Sequence, residues 1–209
     1  MSGVLWHQVG SIRWHPLMAK PYPWVESSIA LVGSAQSLLD TAYGAEIDSH
    51  DLVIRINQGA FADLHAESTG LRTDYVFLTL TGGTAWAKWS FLRRARQAAT
   101  RGVVLMSAKG RSVGPIDLAR FFLHYPARWQ DDLIERLGHR PSTGAMAVDF
   151  LAQTLSDIHR LDLYGFDFFQ TPDIAHGRNN VVTHNPDAER EFILGTISPG
   201  AFHAAPGMD

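Results

Sequence analysis

The stretch SIALVGSAQSLLDTAYGAEIDSHDLVIRIN, residues 28–57, begins and ends on short apolar runs. The first is closed by Gly33; the second, Leu52 to Ile56, carries Arg55 in its interior and stops at Asn57. Short, continuous apolar runs bounded by turn residues are the signature of strands buried on both faces. The pattern repeats downstream. DYVFLTL (74–80) precedes the turn TGGT, GVVLMSA (102–108) follows the helix-type run AWAKWSFLRRARQAAT, and LDLYGF (161–166) follows a second helix-type run. In that second run, Thr143 to Leu155, residues Ala145, Val148, Leu151, Ala152 and Leu155 share one face at helical period. A last helix is predicted from Pro186, and 109–140 reads as a long polar and aromatic connection.

Strand runs separated by helical runs predict βαβ units. The expected fold class is therefore α/β: a single Rossmann-like domain, mainly parallel, with helices on both faces. We expect an aromatic, proline-punctuated arm or lid over 1–27, the domain proper over 28–195, and a tail over 196–209.

At 209 residues and 45% hydrophobic, the chain suffices for one well-filled core. A net charge of −3 gives no electrostatic case for nucleic acid. The absence of cysteine excludes disulfides, thiol catalysis and zinc–thiolate sites. MSGVLWHQVGSIRWHP has no continuous apolar core, and no run is long enough to span a bilayer. The expectation is a cytoplasmic protein, peripheral to the membrane at most.

In parallel sheets, ligands bind beyond the carboxyl ends of the strands, where helix N-termini present free amides to anions. Two junctions suit that role. In LVGSAQSLL, Gly33 permits a tight turn, and Ser34 and Ser37 can cap a helix or donate to a phosphate; no G-x-G-x-x-G fingerprint is present. In RPSTGAMAV, Ser142 and Thr143 supply hydroxyls, and Gly144 lets a ligand approach the backbone. Either junction alone is also an ordinary helix cap.

Taken together, these segments resemble the sialyltransferase family, which uses CMP-activated sugars. IALVGSAQSLLDTAYGAEIDSHDLVIRIN (29–57) is similar to the family's large motif, PSTGAMAVDFLAQTLSDIHRLDLYGFD (141–167) to its small motif, and HNPDAE (184–189) to its very short motif. The family's first turn usually reads Gly-Asn-Ser; here Gly33, Ser34 and Ala35 occupy those positions. The family's aromatic motif has no counterpart, and in the corresponding IAHGRNN interval His176 is the stand-in. Neither the disulfide nor the membrane anchor of the animal members is present, which suggests a minimal bacterial relative.

The resemblance implies a sialyltransferase-like variant of the GT-A fold and an inverting transfer of sialic acid, or a related 2-keto sugar acid such as Kdo, from CMP to a glycan or lipid-linked saccharide. His184 is the expected general base, because an imidazole with an ordinary pKa of about 6.5 titrates near operating pH. Gly33, Ser34, Ala35, Asn57, Ser142, Thr143, Gly144 and His176 are the expected donor-binding residues. Arg55 is expected to brace the fold by pairing with Asp48 or Asp51, because an unpaired buried guanidinium is too costly. Asp48 and His50 form a supporting knot, and Glu189 anchors the last helix. No Asp-x-Asp motif is present, so no metal and no cofactor beyond the donor are expected. A nucleotide-binding protein that has lost transfer is the competing reading.

One feature lies outside the motifs. Residues 84–101 hold five basic residues and no acid, and Trp86, Trp89, Arg93 and Arg96 fall on one side of the predicted helix. Such a stripe suits an anionic membrane surface or a glycan; equally, the 1–27 arm could cover it.

Overall fold

The computed structural model describes residues 7–9, 12–14, 22–81, 84–107, 112–113, 116–117, 122–175, 177 and 184–207. Its strands are β1 (His7–Val9), β2 (Ile12–Trp14), β3 (Ile29–Val32), β4 (Leu52–Ile56), β5 (Tyr75–Leu78), β6 (Gly102–Leu105), β7 (Ser112–Val113), β8 (Ile116–Asp117), β9 (Leu123–His124), β10 (Leu161–Tyr164) and β11 (Phe202–His203). The helices are α1 (Gly44–Ser49), α2 (Ala85–Ala98), α3 (Ala127–Leu137), α4 (Thr143–Thr154) and α5 (Pro186–Thr196).

Seven strands form one sheet in the order β11-β10-β3-β4-β5-β6-β9, and every neighbouring pair is parallel. Two antiparallel pairs, β1–β2 and β7–β8, stand apart. The chain builds outward from β3 through β4, β5, β6 and β9, then returns to lay β10 on the other edge of β3. That reversal between β3 and β10 is the topological switch point, where open α/β sheets bind ligands.

Strand alternation divides the core. Ile29, Leu31, Leu52, Ile54, Tyr75, Phe77 and Val104 face α3, α4 and α5. On the other face, Val76, Leu78, Val103 and Leu105 meet Leu92 and Ala95 of α2. Ala30, Val32, Val53 and Tyr164 meet Leu38 and Ile47. Helices therefore cover both faces, which is why the central strands read as continuous apolar runs. Helix α4 departs from the one-faced expectation. Ala145, Met146, Ala147, Val148, Phe150 and Leu151 are all buried, because α3 and α5 enclose the side that the sheet does not.

Within the segment read as an arm, Trp24 is fully buried. Its ring stacks on Tyr22 and meets Tyr75, Phe77 and Phe150 edge-on, while Nε1 donates to Thr154 Oγ1 at 2.9 Å. Residues 22–27 thus belong to the packed body.

The brace at Arg55 exists, but its expected partner is corrected. Arg55 is 2% exposed and bonds neither Asp48 nor Asp51. Its Nε donates to Arg72 O and Thr73 Oγ1, and Nη2 donates to Thr69 O and Gly70 O. Carbonyl oxygens satisfy the guanidinium directionally without a second buried charge. Burial pulls its pKa down to about 10, against the opposing pull of Asp48. Asp48 instead accepts the Leu71 and Arg72 amides, and His50 Nε2 lies 3.1 Å from the Tyr164 hydroxyl. Burial lowers the His50 pKa.

Candidate active site

A cavity of about 680 Å³ opens at the switch point, within the usual range for a small-molecule site of about 300–1,000 Å³. Gly33, Ser34 and Ala35 enter it from the end of β3, Asn57 from the end of β4, and Ser142, Thr143 and Gly144 from the start of α4. Phe166, Phe168 and Phe169 come from the loop after β10, and His184 and Glu189 from the start of α5. The sequence-predicted donor residues thus share one cavity with the predicted base. His176 lies outside the described residues.

The glycines are required by close approach. A Cβ on Gly33 would stand 2.2 Å from the Gly165 carbonyl oxygen, and one on Gly144 would stand 2.8 Å from the Phe166 ring. The first contact is backbone on backbone, so no rotamer change relieves it. Strain collects at the same place. Asn57, Phe168 and Phe169 have φ of 47°, 53° and 65°, the non-glycine residues with positive φ among the described residues. Asparagine tolerates that region; phenylalanine does so at a cost of order 1–3 kcal/mol.

Several side chains expected to face a ligand are committed to the protein instead. Asn57 Oδ1 accepts the Thr79 amide and Nδ2 donates to Thr143 Oγ1, each at 2.9 Å. The Thr143 hydroxyl also contacts Thr79 Oγ1 at 2.9 Å. Ser34 donates to Asp173, whose other oxygen accepts the Ala175 amide. Ser142 Oγ donates to Glu189 Oε2 at 2.5 Å while accepting the Ala145 amide, and the Ser142 amide donates to Glu189 Oε1 at 2.7 Å.

Glu189, 2% exposed, therefore locks α5 to the N-cap of α4. The first two amides inside α4, those of Thr143 and Gly144, have no acceptor among the described residues. Those two N–H groups stand at the positive end of a 12-residue helix, a position that favours an anion.

His184 is held from two sides. Its ring stacks on Phe169, with centroids 5.5 Å apart and planes at 9°. Nδ1 lies 3.1 Å from the Arg140 carbonyl oxygen and 3.8 Å from Glu189 Oε1. Both are acceptors, which favours the tautomer with its proton on Nδ1 and its lone pair at Nε2. A second cavity, of about 460 Å³, adjoins the first and shares Asn57, Thr143, Asp173 and His184 with it. Asp173 and Phe169 were missed in the sequence, since both lie in a segment with no periodic signal. Among the described residues, no cluster of three or more histidines and carboxylates converges as a metal site.

A parallel sheet with a crevice at its switch point, helix amides beside it and an adjacent imidazole is the arrangement in which open α/β sheets hold small ligands. The family model "Glycosyltransferase family 29 (sialyltransferase)" matches residues 20–119. Among curated proteins, CMP-N-acetylneuraminate-beta-galactosamide-alpha-2,3-sialyltransferase 1 of Mus musculus is 26% identical over 156 residues, covering 66% of this chain and 44% of its own. Sialyltransferase-like protein 5 of Oryza sativa is 28% identical over 152 residues, covering 72% and 29%. The chain thus spans less than half the length of these relatives.

A mammalian sialyltransferase structure superposes with a TM-score of 0.55 at 20% identity, covering 85% of this chain and 68% of the other. The sialyltransferase CstII of Campylobacter jejuni, solved with cytidine-5'-monophosphate, superposes at 0.53 and 15%, covering 81% and 76%. The fold is the GT-A-like one of those structures, and the sialyltransferase family model matches just under half of the chain.

Proposed function

We propose that this chain moves sialic acid, or a related 2-keto sugar acid such as Kdo, from a CMP-activated donor to a saccharide hydroxyl. The observation that supports the reading is the position of His184, with Nδ1 3.1 Å from the Arg140 carbonyl oxygen, at the boundary of two adjoining cavities. The larger cavity takes the donor, with its phosphate at the Thr143 and Gly144 amides. The smaller takes the acceptor. As the acceptor oxygen bonds to the anomeric carbon, its proton passes to His184 Nε2 and the anomeric carbon–phosphate oxygen bond breaks. CMP leaves with the electron pair. The α4 amides stabilise that growing charge, a role a metal often fills. Attack opposite the leaving group inverts the anomeric centre.

Free CMP and glycan-bound sugar are to be measured with CMP-sialic acid and CMP-Kdo, with and without crude glycan acceptors, in EDTA. Acceptor-dependent transfer that survives the chelator is the expected result. CMP binding without transfer supports the nucleotide-binding alternative, and no heat on CMP titration removes both readings.

We further propose that α2 touches an anionic membrane carrying a lipid-linked acceptor. Trp86 is 82% and Trp89 40% exposed, with Arg93 and Arg96 exposed nearby, while Leu92 and Ala95 pack on the sheet. Cosedimentation should be stronger with vesicles containing phosphatidylserine than with phosphatidylcholine alone, and replacing Arg93 and Arg96 by glutamine should cost about 1 kcal/mol each. Binding indifferent to lipid charge refutes the contact.

A further inference from the structure

We infer that the smaller cavity is built for an acceptor saccharide that carries an anionic group, a carboxylate or a phosphate, met by Lys88 and Arg140. This rests on the transfer reading for the word acceptor, but the charge preference stands on the cavity itself. Lys88 comes from the first turns of α2 and Arg140 from the residue preceding Pro141, and both line the cavity. Neither has a carboxylate within salt-bridge distance among the described residues. The α2 wall has no acid to offset them anywhere in residues 84–101.

Among the described residues Asp173 is the one carboxylate on the lining, and both its oxygens already accept hydrogen bonds, from Ser34 Oγ and the Ala175 amide. Gln58, Thr79 and Thr81 supply neutral polar contacts suited to sugar hydroxyls. The shared boundary at His184 puts one end of any occupant beside the base. Half-buried Lys88 and exposed Arg140 put two cations on one concave wall, where they raise the local concentration of anions and can form charge-assisted hydrogen bonds to them.

The test uses three matched disaccharides that differ only in the terminal sugar: neutral, uronic acid and 6-phosphate. Their equilibrium binding to the whole chain is measured by calorimetry, and their kcat/KM in transfer from CMP-sialic acid by product formation. At least one charged disaccharide is expected to exceed the neutral one by about tenfold or more in both readouts. Which of the two does so identifies carboxylate or phosphate as the group recognised.

Lys88→Gln combined with Arg140→Gln should collapse that ratio toward unity. The second substitution keeps the backbone carbonyl that orients His184. Neither residue lines the larger cavity, so CMP titration of the double variant reports on its folding. Equal binding of neutral and charged saccharides by the native chain overturns the inference, as does a ratio that survives the double substitution. Selective binding without any transfer upholds the inference while removing the transfer reading.

Discussion

His184→Ala should lower transfer by about 10²–10⁴-fold, the range a positioned general base supplies, while CMP still binds. The separation of the two effects follows from geometry. CMP's phosphate is assigned to the α4 amides, which the substitution leaves in place, whereas His184 is the one imidazole on the two cavity linings among the described residues. His184 is not a packing residue of the core, so calorimetry with CMP and thermal unfolding should both stay close to the parent. Steady-state rates at saturating donor, with transferred sugar as the readout, distinguish lost chemistry from lost affinity. Undiminished transfer in the variant would remove His184 as the base and return the neighbouring groups to consideration.

Trp24→Ala is expected to cost about 3–5 kcal/mol, the usual penalty for deleting a large buried ring. Domains of this size carry only about 5–15 kcal/mol in total, so the variant should unfold at a much lower urea concentration. Trp24 fills the space between the central strands and α4, and its indole N–H satisfies the Thr154 hydroxyl oxygen. Trp24→Phe keeps most of the volume but orphans that bond, and should cost about 1–2 kcal/mol. A loss below about 1 kcal/mol for the alanine variant would mean that residues 22–27 do not pack as described.

Both predictions begin from residues whose environments were unequally visible in the sequence. The strands at 29–32, 52–56, 75–78, 102–105 and 161–164 were legible because burial on both faces leaves uninterrupted apolar runs. The edge strands β9 and β11 are two residues each, too short for any period to register. Helix α3 was absorbed into the polar 109–140 region, although Trp129, Leu133 and Leu137 recur at four-residue spacing. Five of its other positions, Arg128, Asp131, Asp132, Glu135 and Arg136, are charged, and they hid the stripe.

At the site, the motif residues lie around one cavity, but their bonding was not legible. The Ser34–Asp173 and Ser142–Glu189 pairs span 139 and 47 residues, and no local pattern announces a partner so distant. Arg55 illustrates the same limit. A buried cation calls for acceptors, but whether they are carboxylates or carbonyls depends on how the 69–73 backbone turns beneath it.

The placement of β10 against β3 also governs how the chain is made. Strand β3 gains one neighbour when β4 emerges, yet its other flank waits until residues 161–164 are synthesised. Over that interval a fully apolar strand presents unpaired amides and carbonyls, the kind of template that invites another polypeptide. When β10 docks, it silences that template and brings the 165–169 loop to the switch-point crevice in the same event. Release from the risk of clumping and the first capacity to hold ligand therefore coincide, so CMP supplied during refolding should bind late and favour the properly closed product.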